Sequence, residues 1–297
     1  IKRIIRKFYS VIQNTKIIHS HMSELGCHDF IEAEKMNVPV RICHAHNRPY
    51  GIDLKSPIRW YYKTKMMPHI THMFICGIEA GEWLYGKKNA NHFIMLNNAI
   101  DSEKYRYSVD IRKKVRAGLN LEEGQLVVGH VGRFDPQKNH KFLIDIFKSV
   151  QQKRNDAVLL LIGNDSGTYA NEIHKKVKEL NLEKNVRFLG IRSDVSELLQ
   201  AMDVFLFPSL FEGLSVASIE AQAAGLPVLI SDNVPIECKK TDLVKVVPLS
   251  ASASVWGEQI IECSQIKRED TTDIIRAEGF DIKENAKWLE EFYINCY

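Results

Sequence analysis

Glu212 and Glu220 stand with seven residues between them in the run 207–231, Phe-Pro-Ser-Leu-Phe-Glu-Gly-Leu-Ser-Val-Ala-Ser-Ile-Glu-Ala-Gln-Ala-Ala-Gly-Leu-Pro-Val-Leu-Ile-Ser. A carboxylate accepts two hydrogen bonds at once, so one glutamate can clamp vicinal ribose hydroxyls while the other holds a sugar hydroxyl. Between them Gly213, Leu214 and Ser215 lead into a helix that Ser215 is placed to cap. A helix N-terminus presents unpaired backbone N–H groups and the positive end of the dipole, which suits a phosphate. A second chemical stretch is Gly129-His130-Val131-Gly132-Arg133-Phe134-Asp135-Pro136-Gln137-Lys138-Asn139. Gly132 lets a ligand approach the backbone, and Arg133 and Lys138 can both reach a diphosphate. Ribose, diphosphate and sugar together describe a nucleotide sugar. The ordinary readings are two glutamates on a solvated helix face and a basic surface loop beside a helix cap at Asn139.

The elements that position these residues alternate between strand and helix. Apolar runs predict strands at 126–131, 158–162, 186–189, 204–207, 227–230 and 244–247, with helical patterns between them at 141–152 and 171–180 among others. Pro208 and Gly213 punctuate the loop after 204–207, and Gly225 and Pro227 end the helix that follows. Six strands with crossover helices predict a Rossmann-like sheet whose ligand binds outside the strand carboxyl ends. The earlier part predicts helices at 1–13, 26–36, 56–67 and 77–85 and strands at 16–19, 39–43, 72–76 and 92–96, again a parallel α/β pattern. The charged stretch 102–123 reads as the connection, carrying one helix, and the closing segment 280–297 places Trp288, Leu289, Phe292 and Tyr293 at helical spacing.

At 297 residues and 45% hydrophobic, the chain is long enough for two domains with substantial cores. Six cysteines are scattered without a Cys-x-x-Cys pair and read as buried free thiols of a reducing compartment. No apolar run approaches the roughly 18 residues of a membrane span. The net charge of +3 divides unevenly: up to Asp110 there are 16 Lys and Arg against 10 Asp and Glu, and eight of the eleven histidines lie there too. An anionic partner or membrane surface is expected on that side. The stretch 56–72 mixes Arg59, Lys63 and Lys65 with Trp60, Tyr61, Tyr62, Met66 and Met67, fitting either an interfacial helix or, as the more ordinary reading, a core-packed helix with a basic outer face.

Pro-Ser-x-x-Glu-Gly followed by Glu-Ala-x-Ala-x-Gly-x-Pro-Val resembles the donor-site signature of the retaining glycosyltransferases of family 4, and residues 132–139 resemble that family's Gly-Arg-x-x-x-Gln-Lys-Asn. The resemblance implies a GT-B fold, two Rossmann-like domains facing a cleft. The N-terminal acceptor-side domain would be 1–101 and the nucleotide-sugar domain 102–279. The final helix 280–297 would cross back to the first domain. Asn97-Asn98-Ala99-Ile100-Asp101 resembles the family's domain-closing Asn-Gly-Ile-Asp, with Ala99 in place of Gly. The first strands and Gly-rich loop of the family are missing, so the N-terminal domain is read as truncated.

By the same resemblance Arg133 and Lys138 neutralise the leaving diphosphate, Glu220 clamps the ribose, and Glu212 faces the sugar. A family histidine at the strand end after residue 39 contacts the donor sugar; His46 is the first choice and His44 the second. Gly163-Asn164-Asp165 resembles the family's Gly-x-Gly, although Asp165 replaces a glycine and a plain turn fits equally. Arg192 lies where the base-binding loop falls. No Asp-x-Asp occurs, so no metal site and no cofactor is expected, the donor being an NDP-sugar and by preference a UDP-sugar. The histidine pairs lack a carboxylate or cysteine at ligand spacing and do not read as zinc ligands.

The implied function is a metal-independent retaining hexosyltransferase of capsular or exopolysaccharide synthesis, acting on a glycan or lipid-linked saccharide, with no nucleic acid partner. It would be cytoplasmic, with a peripheral contact at the inner face of the membrane. A GT-B nucleotide-sugar 2-epimerase and a non-catalytic nucleotide-sugar binder are the alternatives. A dehydrogenase is not expected, because no Gly-x-Gly-x-x-Gly follows a strand.

Overall fold

The computed structural model of the chain describes residues 14–46, 51 and 54–296, and the helix expected over 1–13 lies outside them. The chain divides into two compact units, Ile1–Ala99 with Ile282–Tyr297, and Ile100–Asp281. Among the described residues the first unit holds a parallel four-stranded sheet in the order β1 (Ile17–Ser20), β2 (Val40–Ala45), β3 (His72–Ile75), β4 (Phe93–Met95). Side chains alternate across a strand, and β2 uses both faces. Cys43 and Ala45 pack with Phe30, Met66 and Leu84 on one side. Val40, Ile42 and Phe74 meet Leu289, Phe292 and Tyr293 of the closing helix Ile282–Ile294 on the other.

The second unit carries a parallel six-stranded sheet, β5 (Val127–Val131), β6 (Val158–Ile162), β7 (Val186–Phe188), β8 (Val204–Phe207), β9 (Val228–Ser231) and β10 (Val244–Val247). Their spatial order is β10-β9-β8-β5-β6-β7, with β5 and β8 adjacent through Val128 beside Val204 and Gly129 beside Phe205. This is the doubly wound Rossmann order. It reverses between β5 and β8, where neighbouring crossovers leave on opposite faces and open a crevice at the carboxyl ends. Separate apolar clusters fill the two faces, one including Phe205, Phe207 and Ile219, the other Leu143, Phe147 and Trp256. Trp256 is fully buried, and its indole N–H is satisfied by the Pro248 carbonyl at 3.1 Å.

One local expectation needs correction. The stretch 102–123 forms two helices rather than one, Ser102–Tyr105 and Val109–Gly118, because Asp101 and Ser108 each cap a start by accepting from the amides of Lys104 and Ile111. Asn139 is the N-cap of helix His140–Lys153 in a left-handed conformation (φ 55°), and its side chain makes no capping hydrogen bond. Its side-chain amide donates instead to the Pro208 carbonyl at 3.1 Å. The second unit runs from Ile100 to Asp281, slightly wider than the expected 102–279, since the Ile100 amide donates to the Phe280 carbonyl at 2.9 Å. All six thiols are free; Cys27, Cys43, Cys76, Cys238 and Cys263 are buried and Cys296 is half-buried. No helix among the described residues is long and apolar enough to cross a membrane.

Candidate active site

In the second unit the loops after β5 and β8 leave adjacent strand ends, and this brings the two chemical stretches together. The loop after β8 is held from outside. The Leu210 amide donates to the Gln137 carbonyl at 2.8 Å, and the Gln137 side chain returns a bond to the Phe211 carbonyl at 2.9 Å. Ser231 Oγ donates to the Ser209 carbonyl at 2.5 Å and Asn233 Nδ2 to that of Leu210 at 2.9 Å. With these carbonyls fixed, Glu212 is directed onto Lys138, whose Nζ lies 2.7 Å from Glu212 Oε1 and 4.7 Å from the centroid of the Phe207 ring. The glutamate side chain is 7% exposed and the lysine 18%, so this ion pair lies largely out of solvent. Arg133 is exposed on the same loop and has no protein partner among the described residues.

Helix Val216–Ala223 begins at Ser215, whose hydroxyl accepts from the Ser218 amide. The Ser215 amide in turn donates to Cys238 Sγ at 3.4 Å, and that thiol reaches the Gly213 carbonyl at 3.7 Å. First-turn amides not used by these contacts point out of the helix end by construction. Leu214 and Gly213 are half-buried at this entry. Glu220, one side further along the helix, accepts a 2.6 Å hydrogen bond from the Tyr105 hydroxyl, and burial raises its pKa against the opposing effect of that bond.

The turn after β6 is bound into the same group. A Cβ built on Gly163 (φ 152°) would stand 2.0 Å from the Gly132 carbonyl oxygen, while the Gly132 amide donates to the Ile162 carbonyl at 2.9 Å. Gly163 is required here by close approach of two backbones. The residues after it form an ordinary turn, with Asn164 Oδ1 accepting from the Ser166 amide and hydroxyl at 3.1 and 2.7 Å. Arg192 is exposed beyond β7, its guanidinium held by both oxygens of Asp194.

In the first unit the two candidate histidines are placed differently. His44 is 3% exposed and enclosed, with Nε2 3.2 Å from the Leu96 carbonyl and Nδ1 3.3 Å from His19 Nε2. His46 is half-buried at the strand end, between Asn98 Oδ1 at 3.0 Å and His21 Nδ1 at 2.8 Å. Burial lowers the pKa of both, that of His44 to about 3. Asn47, beside them in sequence, lies outside the described residues.

Sequence reasoning passed over Tyr105, which sits in the charged connection with nothing to mark its bond to Glu220 115 residues away. It also passed over His130 and His140, fully buried beneath the Lys138 loop with their rings 4.9 Å apart. Burial, and then the charge of Lys138, lowers the pKa of His140 to about 4, and burial takes that of His130 well below 6.5. Both are neutral in the fold, whereas the unfolded chain takes up protons below 6.5. Their contribution to stability is therefore complete above pH 6.5 and is lost as the pH falls toward 4. At pH 5 the His140 share of the loss is about 2 kcal/mol. Urea unfolding at pH 7.5 and 5 should show this loss, and His140→Leu should reduce it; an equal pH dependence in the variant would remove His140 as its source.

Residues 111–239 match the family described as Glycosyl transferases group 1. The chain is 32% identical over 288 residues to the protein named glycosyltransferase EpsF in Bacillus subtilis (strain 168), which covers 93% of this chain and 74% of that relative. It is 24% identical over 295 residues to the Staphylococcus aureus capsular polysaccharide biosynthesis glycosyltransferase CapH, covering 97% of this chain and 80% of the other. The crystal structure of Anabaena Alr3699/HepE in complex with UDP shares the fold at a TM-score of 0.81 and 19% identity, over 99% of this chain and 82% of that one. Two parallel-sheet α/β units, the group 1 match and a likeness to EpsF over 93% of this chain agree: the chain belongs to the group 1 glycosyltransferases and has the GT-B fold.

Proposed function

We propose that the chain is a metal-independent, retaining glycosyltransferase that takes a UDP-sugar and passes the sugar to a glycan or lipid-linked saccharide during capsular or exopolysaccharide synthesis. The observation that carries the reading is the Lys138–Glu212 ion pair ahead of the capped start of helix Val216–Ala223, with Arg133 exposed on the loop that carries Lys138. Two cations and a helix N-terminus at one strand end supply fixed positive potential where a departing diphosphate gains negative charge, the task a divalent ion performs elsewhere. Glu220 is the ribose ligand and Glu212 a sugar ligand. Gly132 and Gly163 keep the backbone low beneath the diphosphate, and Arg192 reaches base or phosphate by exchanging Asp194. Retention follows the family resemblance and calls for no protein nucleophile. UDP as the donor's nucleotide is supported by the ligand of the Anabaena structure, and the polysaccharide setting by the name of CapH.

The protein works in the cytoplasm at the inner face of the membrane. Supporting this, helix Ser56–Met66 buries Met66 while exposing Ile58, Trp60 and Tyr61 beside Lys55. That is an apolar and aromatic face with cations at its border, suited to an anionic lipid surface.

Calorimetric titration with UDP, with and without EDTA, tests the donor site. Binding should be the same in both, and Glu220→Ala should weaken it by about 1.5–3 kcal/mol through loss of a charge-assisted clamp. Tyr105→Phe controls for the internal bond and should leave affinity nearly intact. Loss of binding on chelation, or unchanged affinity in Glu220→Ala, would contradict the assignment.

A further inference from the structure

The first unit gathers four histidines at the carboxyl ends of β1 and β2. The fold brings the pair His19 and His21 against the pair His44 and His46, which as a sequence are 25 residues apart. The His19 and His21 rings stack at 4.5 Å and 15°, and the His44 and His46 centroids lie 4.3 Å apart. One ring nitrogen from each of His19, His21 and His44 falls within 4.8 Å of the others.

The outer contacts of this group fix which nitrogens face inward. His44 Nε2 meets the Leu96 carbonyl, which can only accept, so Nε2 carries the hydrogen and Nδ1 presents a bare lone pair to His19 Nε2. His19 Nδ1 is anchored by the Tyr293 hydroxyl at 2.6 Å, leaving Nε2 as its inward atom. Those two inward nitrogens are 3.3 Å apart. Nitrogen ligands about 2.0–2.1 Å from a tetrahedral metal stand about 3.3–3.4 Å from each other, so the pair already spans one edge of such a site. In the metal-free chain one shared proton satisfies that edge, and a metal would displace it. Exposed His21 supplies the third nitrogen, within 4.8 Å of the other two, and the entry path, and the fourth position is open to water.

We propose that His19, His21 and His44 form a binding site for a divalent transition metal in the first unit. The donor set selects its chemistry: three neutral imidazoles with no carboxylate suit Zn²⁺, Co²⁺, Ni²⁺ or Cu²⁺ and not Mg²⁺ or Ca²⁺. Burial helps to keep the rings unprotonated, with the pKa of His19 at about 4. As a sequence the pairs lacked a carboxylate partner and did not read as zinc ligands; the missing ligand is another histidine, supplied by the neighbouring strand. The three ligands all belong to the first unit, and the proposal makes no claim on how the diphosphate is neutralised.

Equilibrium dialysis of the chelator-stripped chain against Zn²⁺, with metal analysis of the retained fraction, tests the site. One equivalent should bind with micromolar or tighter affinity. Co²⁺ in its place should give the intense visible absorption of tetrahedral coordination. His21→Gln, at an exposed position where folding is spared, should weaken Zn²⁺ at least tenfold, and His44→Gln should abolish the Co²⁺ spectrum. His92→Gln, outside the cluster, should change neither. Absence of stoichiometric binding, or stoichiometric binding indifferent to His21→Gln, would mean that the four rings form only a hydrogen-bonded ladder.

Discussion

Replacing Lys138 by alanine is expected to slow sugar transfer from UDP-sugar by two to three orders of magnitude while the chain stays folded. Removing one preorganised group that stabilises developing charge typically costs on the order of 10²–10³ in rate. Lys138 is held between the Glu212 carboxylate and the Phe207 ring. Its pairing with Glu212 makes the prediction sharper. If Lys138 acts on the diphosphate, the loss should persist in a Glu212→Gln background. If it serves only to orient Glu212, the double variant should be no slower than Glu212→Gln alone. Single-turnover rates of the four chains complete the cycle. Lys138→Ala within threefold of the parent would remove the lysine from the reaction.

Gly163→Ala is expected to be among the most destabilising small substitutions in the second unit. Its methyl would lie 2.0 Å from the Gly132 carbonyl oxygen, a backbone atom with no side-chain freedom to yield, at a φ of 152° that non-glycine residues avoid. The ends of β5 and β6 must part, which endangers the bond from the Gly132 amide to Ile162. Strain and a lost hydrogen bond together predict about 2–4 kcal/mol. For a unit of this size that is a fall of roughly 5–15 °C in Tm. UDP affinity should fall as well, since Gly132 and Arg133 move with the strand end. Gly118→Ala is the control: its added Cβ meets nothing within 4 Å at the end of a helix, and it should be neutral or slightly stabilising. Equal melting temperatures for the two variants would show that the strand ends separate freely.

Both predictions concern residues whose types were legible in the sequence and whose contacts were not. The strands of the second unit were readable because each is a short apolar run bounded by turn residues; Val158–Ile162 forms over the expected positions. Ser215 caps the helix start expected of it. Arg133, Lys138 and Glu212 stood out by spacing, yet the Lys138–Glu212 pair joins residues 74 apart and depends on β5 lying beside β8. Asn139 does stand at the N-cap of helix His140–Lys153, but its left-handed backbone and the bond of its side chain to the Pro208 carbonyl follow from the fold and not from its neighbours in sequence. The histidines show the same limit. Two pairs at i, i+2 were visible, but their union follows from the β1–β2 register, in which His19 lies beside Ile42 and Ser20 beside Cys43.

The distribution of thiols gives each unit its own chemical clock. Burial raises the pKa of Cys43 to about 12 and those of Cys76 and Cys238 to about 11, so at neutral pH the nucleophilic thiolate is scarce in the folded chain. Alkylation at these positions then proceeds through opening, and its rate counts how often each region comes apart. Cys27, Cys43 and Cys76 keep time for the first unit, Cys263 for the second. Cys238, tied to Ser215 and Gly213, times the loop that would receive the donor. A ligand seated there would stop that one clock and leave those of the first unit running.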